Sequence, residues 1–398
     1  MTAVSPSASI PLRHSRRAVG WWLIVVGLMI AAMVVIGGLT RLTGSGLSIT
    51  EWDPVMGAIP PLSQADWLDA FHKYQRIPQY IREHRGMTLA QFQFIYWWEW
   101  THRLLGRLIG AVFLLPFLFF AWIGAIRWRD IPRMVVLFAL GTLQGFVGWW
   151  MVESGLETRV SVSQYRLALH LGVALILFAA ILWTAFEYLR IPSPPSGERV
   201  RVRGRSETRN QRSEIRRSGS ASLLIARAAR RDLPLTPALS PDGGEGVWFT
   251  FVFPFLIYLQ MLLGALVAGL HAGLIYNTWP SMDGRFLPEH PFVGAPWWIN
   301  FFENPGLAQF DHRIGAYLVA LAAIFVWWSA MRAKITGAAR SSAYAILIVT
   351  FVQIALGIAT LLNQAPILFS ALHQLTALAL LSAALWHAFE IRRSASPL

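Results

Sequence analysis

The chain is a succession of long apolar segments separated by short polar ones. Because about 20 consecutive apolar residues are needed for a helix to cross the hydrocarbon core of a bilayer, each segment of that length predicts one transmembrane span. The pattern predicts eight spans and therefore an all-α integral membrane protein. The predicted spans are residues 19–39, 98–124, 134–152, 167–189, 248–269, 312–331, 342–362 and 369–389.

Composition agrees with this class and removes several kinds of chemistry. Hydrophobic residues make up 55% of the 398 residues and charged residues only 14%, whereas about a quarter of an average soluble domain is charged. The chain has no cysteine, which excludes disulfides, thiolate nucleophiles, iron–sulfur clusters and cysteine-ligated zinc or haem. The net charge of +13 comes mainly from arginines between apolar segments, a distribution typical of membrane topology signals rather than of nucleic-acid binding.

Basic residues also predict the orientation of the spans. The short connections rich in arginine and lysine fall on the same side as both chain ends when the number of spans is even. Since cytoplasmic loops carry this excess, we expect both termini in the cytoplasm. The two long connections, 40–97 and 270–311, then lie outside, and we expect them to fold over the outer mouth of the helices.

Segment 190–247 differs from the rest of the chain. It begins with several prolines, contains eleven arginines between residues 199 and 231 and ends in a stretch rich in proline and glycine. Such a composition cannot bury a core, so it predicts a disordered cytoplasmic linker. The linker separates an N-terminal half, 1–189, from a C-terminal half, 248–398.

The two halves resemble each other in the order of their polar and small residues. Four regions match in the same order, namely the first long connection and the second, third and fourth spans of each half. This indicates an internal repeat with four spans in each half. We therefore predict two pseudo-symmetric four-helix bundles related by an axis along the membrane normal. The paired positions, first half then second, are Gly46 and Gly273, His102 and His312, Gln144 and Gln353, Gly148 and Gly357, His170 and His373, and Trp183 and Trp386.

Four histidines occupy repeat-related positions near the outer ends of the even-numbered spans: His102, His170, His312 and His373. Histidine at membrane depth is costly and usually functional. Two imidazoles on facing helices of a bundle favour axial ligation of haem iron. Two histidines without a cysteine or a carboxylate pair do not complete a tetrahedral zinc or copper shell. The other interpretation is that each histidine is a hydrogen-bonded bundle residue.

The two halves differ beside these histidines. Glu99 stands three residues before His102, whereas Gln309 stands three residues before His312. Spacing of three residues places Glu99 and His102 on one helical face, and a carboxylate in one half only suggests chemistry at one site only. Alternatively, Glu99 is an interfacial carboxylate paired with Arg103 or with an arginine of an outer loop.

Four arginines lie within one or two turns of the histidines: Arg103, Arg107, Arg166 and Arg313. Haem propionates are anionic and need cationic partners at low dielectric constant, which is one role for these arginines. The other role is contact with outer lipid headgroups through extended side chains. The pattern favours neither role.

Together these residues resemble the haem A synthase family, whose members act in cytochrome oxidase assembly. The resemblance extends over the chain except 190–247, and its ordered set of motifs is specific. Some members carry a cysteine pair in the outer loops, so this chain resembles the cysteine-free branch of proteobacteria and mitochondria. The motifs are EWTHR at 99–103, RLALHLG at 166–172, FDHRIG at 310–315, ALHQ at 371–374 and GGLTRLTGSGLS at 37–48.

The resemblance implies an oxidoreductase that converts the ring methyl of haem O to a formyl group, giving haem A. It implies that His102 and His170 hold the substrate haem O and that Glu99 is the catalytic carboxylate. His312 and His373 would ligate a haem b cofactor. The implied setting is the bacterial inner membrane with the haem sites toward the periplasm. Implied partners are membrane lipid, the haem O synthase, an unidentified electron acceptor and a second copy of the chain in a homo-oligomer.

Two other functions stay open at this point. The first is a di-haem b-type electron carrier that oxidises quinol and modifies no haem. The second is a transporter in which the histidines form a metal or proton path. A pure electron relay has no need of a carboxylate at one haem only, so Glu99 opposite Gln309 favours the enzyme. An absorption spectrum of the purified protein distinguishes the transporter from the other two functions, because a transporter would bind no haem.

Overall fold

The computed structural model describes residues 11–53, 56–156, 159–190 and 244–395. Within these ranges the chain is helical, with one isolated β-bridge between Met282 and Arg285. Short 3-10 turns lie between some of the helices. The α-helices are α1 Pro11–Leu42, α2 Gln64–Tyr74, α3 Pro78–Arg82, α4 Leu89–Trp122, α5 Ile131–Leu156, α6 Gln164–Leu189, α7 Gly244–Gly269, α8 Asn300–Glu303, α9 Pro305–Arg332, α10 Gly337–Leu362 and α11 Ile367–Ala395.

The long helices of the described ranges confirm the predicted fold class. Eight of them, α1, α4, α5, α6, α7, α9, α10 and α11, contain a segment long and apolar enough to cross a membrane. The chain is therefore an all-helical, multi-pass membrane protein. Most of the predicted linker, 191–243, lies outside the described residues, and its last four positions belong to the beginning of α7.

Several spanning helices begin earlier than the apolar pattern predicts. Helix α4 begins at Leu89 because Thr88 and Gln91 form a capping box, in which each side chain accepts a hydrogen bond from the other residue's main-chain N–H. Helix α9 begins at Pro305, where the Asn304 side chain accepts from the N–H of Leu307 at 3.2 Å. Polar caps satisfy the free N–H groups of a helix outside the hydrocarbon, where hydropathy gives no signal.

The spanning helices contact one another in two rings of four. In the first ring α1, α4, α5 and α6 contact in order and α6 returns to α1; in the second, α7, α9, α10 and α11 do the same. The rings meet where α6 contacts α7 and α11 and where α1 contacts α11. This adjacency is compatible with the predicted pair of four-helix bundles.

Small residues allow the helices to approach closely along these contacts. A Cβ on Gly20 would lie 2.7 Å from the Leu189 side chain, and one on Gly172 would lie 2.9 Å from Tyr258 Oη. The first contact joins α1 to α6 within one ring, and the second joins α6 to α7 between rings. Helices in lipid associate through close packing of this kind because no hydrophobic driving force acts between them.

One end of the rings, here called the loop end, carries the connections 43–88 and 270–304. Helices α2 and α3 fold there against the start of α4 and form a second apolar core. Phe92 and Tyr74 are fully buried in this core, with ring centroids 5.3 Å apart. The expectation that the first long connection folds over the helix ends is therefore met on the α4 side.

Truncation of Phe92 tests how much this second core contributes to the stability of the protein. Truncating a buried phenylalanine removes buried apolar surface and leaves a cavity, at a cost of about 3–5 kcal/mol. We expect Phe92→Ala to lower the melting temperature of the detergent-solubilised protein, measured by circular dichroism. Phe94→Ala is the matched control, because Phe94 is 59% exposed. Equal shifts in the two variants would show that the cluster contributes nothing specific.

Candidate functional site

The four predicted histidines lie on α4, α6, α9 and α11, each in the half of its helix nearer the loop end. Each helix begins at that end, so the repeated positions of the histidines place all four imidazoles at similar depth. His102 and His170 belong to the first ring, and His312 and His373 belong to the second. The structure thus brings together the residues that the sequence pairs within each half.

His312 and His373 face each other across the second ring. Their ring centroids are 6.4 Å apart and their planes are inclined at 80°. With about 2 Å between a metal ion and each imidazole nitrogen, two rings bound on opposite sides of one ion have centroids roughly 6.4 Å apart. His373 Nδ1 is buried and has no hydrogen-bond partner among the described residues. The pair therefore has the separation that axial ligation of one iron requires.

His102 and His170 form the corresponding pair of the first ring. They lie on α4 and α6, as His312 and His373 lie on α9 and α11. A Cβ on Gly37 of α1 would lie 3.0 Å from His102 Nε2, and a Cβ on Gly148 of α5 would lie 2.8 Å from His170 Cε1. Each imidazole therefore occupies space that any side chain larger than glycine on the neighbouring helix would fill.

The second ring repeats this packing of histidine on glycine. A Cβ on Gly264 of α7 would lie 3.2 Å from His312 Cε1, and one on Gly357 of α10 would lie 2.9 Å from His373 Cε1. Each of the four imidazoles therefore packs against a glycine of a neighbouring helix. Gly148 and Gly357 mark the repeat in the sequence, but the packing of all four glycines against imidazoles is visible only in the folded chain.

Glutamine amides contact three of the four histidines. Gln144 Nε2 is 3.1 Å from His170 Nδ1 and donates to the main-chain oxygen of His170 at 3.0 Å. Gln260 Nε2 makes the same two contacts with His312, at 3.0 and 2.8 Å. Gln353 Nε2 lies 3.4 Å from His373 Nε2. Sequence reasoning missed these contacts, although glutamine four residues before glycine recurs in three spans.

Glu99 is buried, with 2% of its surface exposed, and its carboxylate is held by four hydrogen bonds. Ser48 Oγ and the N–H of Ile49 each donate to Oε2 at 2.8 Å. Arg103 donates to Oε1 through Nε at 3.1 Å and through Nη2 at 2.6 Å. The pairing with Arg103 that the sequence left open is therefore present. The hydrogen bonds from Ser48 and Ile49 join α4 to the first long connection.

Gln309 occupies the corresponding place in the second ring with a neutral side chain. It donates to the main-chain oxygen of Ala272 at 3.0 Å and accepts from Arg313 Nη2 at 3.3 Å. Like Glu99, it is almost completely buried. The second ring therefore holds an amide at the equivalent place, and the negative charge of Glu99 is a feature of the first ring.

The four predicted arginines all donate to main-chain oxygens near the loop end. Arg103 reaches Ile49 at 2.7 Å, Arg107 reaches Asp53 at 2.7 Å, Arg166 reaches Trp150 at 2.6 Å and Arg313 reaches Tyr276 at 3.0 Å. Three of these acceptors belong to the long connections, so the guanidinium groups brace the loops above the histidines. Their contact with propionates stays a prediction.

Arg41 and His271 join the two rings at the loop end. Arg41 Nη2 lies 2.5 Å from His271 Nε2 and donates to the main-chain oxygen of Ala268 at 3.0 Å. Burial and the adjacent guanidinium lower the pKa of His271 below its usual value. Near neutral pH the imidazole is therefore uncharged and able to accept a hydrogen bond from Arg41.

The donor set fits haem in the second ring. It consists of two half-buried imidazoles whose ring centroids are 6.4 Å apart, with a glycine packed against each imidazole. Haem iron takes two axial ligands and obtains the rest from the porphyrin, so two histidines suffice. The first ring has an equivalent pair of histidines with a glycine beside each. It also has the buried Glu99 carboxylate, which accepts four hydrogen bonds.

Comparison with known proteins gives one family and consistent relatives. The model of the COX15-CtaA family, described as cytochrome oxidase assembly protein, matches residues 20–211 and 218–385. The expectation that 190–247 stands outside the family pattern is therefore wrong for most of that segment.

Curated relatives called heme A synthase align over nearly the whole chain. The protein from Parvibaculum lavamentivorans is 43% identical over 95% of this chain and 96% of its own length. The one from Bradyrhizobium diazoefficiens is 46% identical over 92% of this chain and 90% of its own length. The one from Brucella ovis is 42% identical over 94% and 92%.

Proposed function

This chain belongs to the COX15-CtaA family of cytochrome oxidase assembly proteins, and we propose that it acts as a haem A synthase. The observation that carries the proposal is the 42–46% identity, over almost all of the chain, to relatives of that name. The reaction is the oxidation of the ring methyl of haem O to the formyl group of haem A. The relatives' names favour this enzyme over the di-haem electron carrier.

We assign the substrate haem O to the first ring, between His102 and His170. Support comes from Glu99, the buried carboxylate three residues before His102 whose counterpart is the neutral Gln309. Oxidation of a methyl group removes protons as well as electrons, so a proton acceptor is needed at the substrate. The Glu99 carboxylate is the proposed acceptor.

His312 and His373 are the residues that would hold a haem b cofactor. When bound, this haem supplies a one-electron redox centre for the oxidation. Gly264 and Gly357 leave room for the two imidazoles beside their helices, and Gln260 fixes the His312 ring.

The proposed setting is the bacterial inner membrane, with both termini in the cytoplasm and the loop end in the periplasm. The excess of arginine and lysine on the side of the termini supports this orientation. It places the histidine pairs, which lie toward the loop end, near the outer surface. Further proposed partners are the haem O synthase, which makes the substrate, membrane lipid, an electron acceptor and a second copy of the chain.

The proposal is tested by extracting haems from membranes that contain this chain together with a haem O source. Haem A, or its hydroxylated precursor, is expected only when the intact chain is present, and chromatography identifies each haem by its retention. Membranes with the haem O source alone are the control. Haem b as the only haem bound by the purified chain, with haem O unchanged, would support the electron carrier instead.

Substitution of Gly357 tests the packing of His373 in the proposed cofactor site. An alanine Cβ at 357 would lie 2.9 Å from His373 Cε1, which forces the imidazole away from its position. We expect Gly357→Ala to lose most of its bound haem b, measured from the absorption spectrum of the purified protein. Gly145→Ala is the matched control, since a Cβ there meets no other group within 4 Å. Normal haem b content in both variants would contradict the ligand geometry.

A further inference from the structure

One helical pattern stands beside three of the four histidines and is absent beside His102. In three helices a glutamine precedes by four residues the glycine that packs against a histidine: Gln144 and Gly148, Gln260 and Gly264, Gln353 and Gly357. Residues four apart lie on the same helical face, so amide and glycine meet the same imidazole. Beside His102 the glycine is Gly37, and the residue four before it is Met33.

Gln260 and Met33 occupy equivalent positions in the two rings. The repeat that pairs Gly46 with Gly273 also pairs Gly37 with Gly264 and Met33 with Gln260. The structure bears out this alignment, because Gly37 packs against His102 as Gly264 packs against His312. Met33 Cε lies 3.2 Å from where a Cβ on Gly106 would be, so its side chain faces α4 one turn beyond His102.

The residues that face Gln260 and Met33, on α9 and α4 respectively, differ in size. A Cβ on Gly315 would overlap Gln260 Oε1, so the glycine at 315 makes room for the glutamine amide. The repeat that pairs His102 with His312 pairs Leu105 with Gly315. A glutamine at position 33 would therefore meet Leu105. Beside His102 the first ring therefore lacks both the amide and the space for it.

An amide and a thioether act differently on a histidine. The amide has both an acceptor oxygen and N–H donors, whereas the thioether sulfur is only a weak acceptor. Gln144 Oε1 and Gln260 Oε1 are buried without a partner among the described residues. The amide nitrogens, and not these oxygens, lie beside Nδ1 of His170 and His312, and each also donates to the main-chain oxygen of its histidine. The amides therefore fix the position and orientation of the two imidazoles, as partners of metal-binding histidines do.

We propose that the glutamines are positioning residues for the haem ligands, and that Met33 makes His102 the one ligand that is held loosely. This inference rests on the proposed function, because it takes the four histidines as haem ligands. In the second ring both histidines contact a glutamine, and that ring retains its haem. In the first ring only His170 does, and that ring releases its haem. The difference matches a bound cofactor in one ring and a substrate that must leave as product in the other.

The test exchanges the two side chains in the full-length protein. Gln260→Met preserves the length of the side chain and removes the amide. Met33→Gln combined with Leu105→Gly introduces the amide together with the space it needs. The purified variants are loaded with haem b and haem O and mixed with an excess of apomyoglobin as haem acceptor. Chromatography of the remaining haems gives a separate release rate for each.

Gln260→Met is expected to speed the release of haem b by roughly 10- to 100-fold, the range found when the partner of a metal-binding histidine is lost. The release of haem O should not change. Met33→Gln with Leu105→Gly is expected to slow the release of haem O by a similar factor and to leave haem b unaffected. Leu105→Gly alone is the control for packing.

A spectroscopic measurement separates positioning from packing. Gln260→Glu keeps the side-chain length and offers a carboxylate to the His312 ring, which makes the imidazole a stronger ligand and stabilises the oxidised iron. We expect the reduction potential of haem b to fall in Gln260→Glu. A reduction potential equal to that of the wild type in Gln260→Glu would overturn a positioning role.

Failure of this inference differs from failure of the proposed function. Release rates that equal the wild-type rates in both exchanged variants, with haem b and haem O bound normally, would overturn the role of the glutamines and leave the ligands intact. Wild-type protein that binds no haem, or only haem b, would instead contradict the proposed function on which the inference rests.

Discussion

Glu99→Gln is expected to leave both haems bound and to reduce haem A formation by about 100-fold or more, the contribution typical of a positioned proton acceptor. Haem O should accumulate in the first ring. Glutamine has nearly the same shape as glutamate but cannot accept a proton at neutral pH. Haem A formation is measured by chromatography of extracted haems, and binding by the absorption spectrum of the same preparation.

The structure gives Glu99 a second role that this experiment must separate. Its carboxylate accepts hydrogen bonds from Ser48 Oγ and from the N–H of Ile49, and so anchors the first long connection to α4. Loss of activity in Glu99→Gln therefore has two explanations, the missing proton acceptor and a displaced loop. The neutral Gln309 at the equivalent place shows that an amide suits the fold.

Ser48→Ala is the control for the anchoring role. It removes one hydrogen bond to Glu99 Oε2 and keeps the carboxylate, so haem A formation should stay within about threefold of wild type if the proton acceptor matters most. Gln309→Glu places a carboxylate in the second ring and should not create a second oxidation site. Equal losses in Ser48→Ala and Glu99→Gln, or undiminished haem A in Glu99→Gln, would contradict the catalytic role.

His312→Ala is expected to abolish the stable haem b signal. The variant loses one of two axial ligands, so affinity for haem b should fall by more than the roughly 10- to 100-fold that a lost partner of a ligand costs. Haem A formation should stop as well, because the proposed redox centre is absent. The measurement is the haem b content of the purified protein together with its absorption spectrum.

The matched control is His387→Ala. His387 is also a histidine of a spanning helix, but its Nδ1 is 2.9 Å from Ser342 Oγ and it lies near the end opposite the loop end. Removing it should preserve the haem b spectrum. His102→Ala should also preserve haem b while lowering the retention of haem O. A normal spectrum in His312→Ala would exclude this residue as a ligand, and loss of haem b in His387→Ala would point to general unfolding.

The predicted helix positions were accurate and their ends were not. Hydropathy placed all eight spans, because the free energy of transfer into lipid depends on residue type and is summed over each segment. It missed the first turns of α4 and α9, since capping by Thr88 and Asn304 depends on side-chain hydrogen bonds outside the hydrocarbon. The composition of 190–247 indicated a linker, yet the family match continues through most of it.

The sequence by itself determined the membrane class, the repeat and the four histidines, because each is a periodic or local property of the chain. It left open whether Glu99 pairs with Arg103, and the ion pair in the folded chain answers that. Only the folded chain brings Ser48 and Ile49 to the same carboxylate. It did not reveal the glycine and glutamine contacts of the imidazoles. Those contacts join residues of different helices, so they depend on the rotation and spacing of packed helices, which hydropathy does not specify.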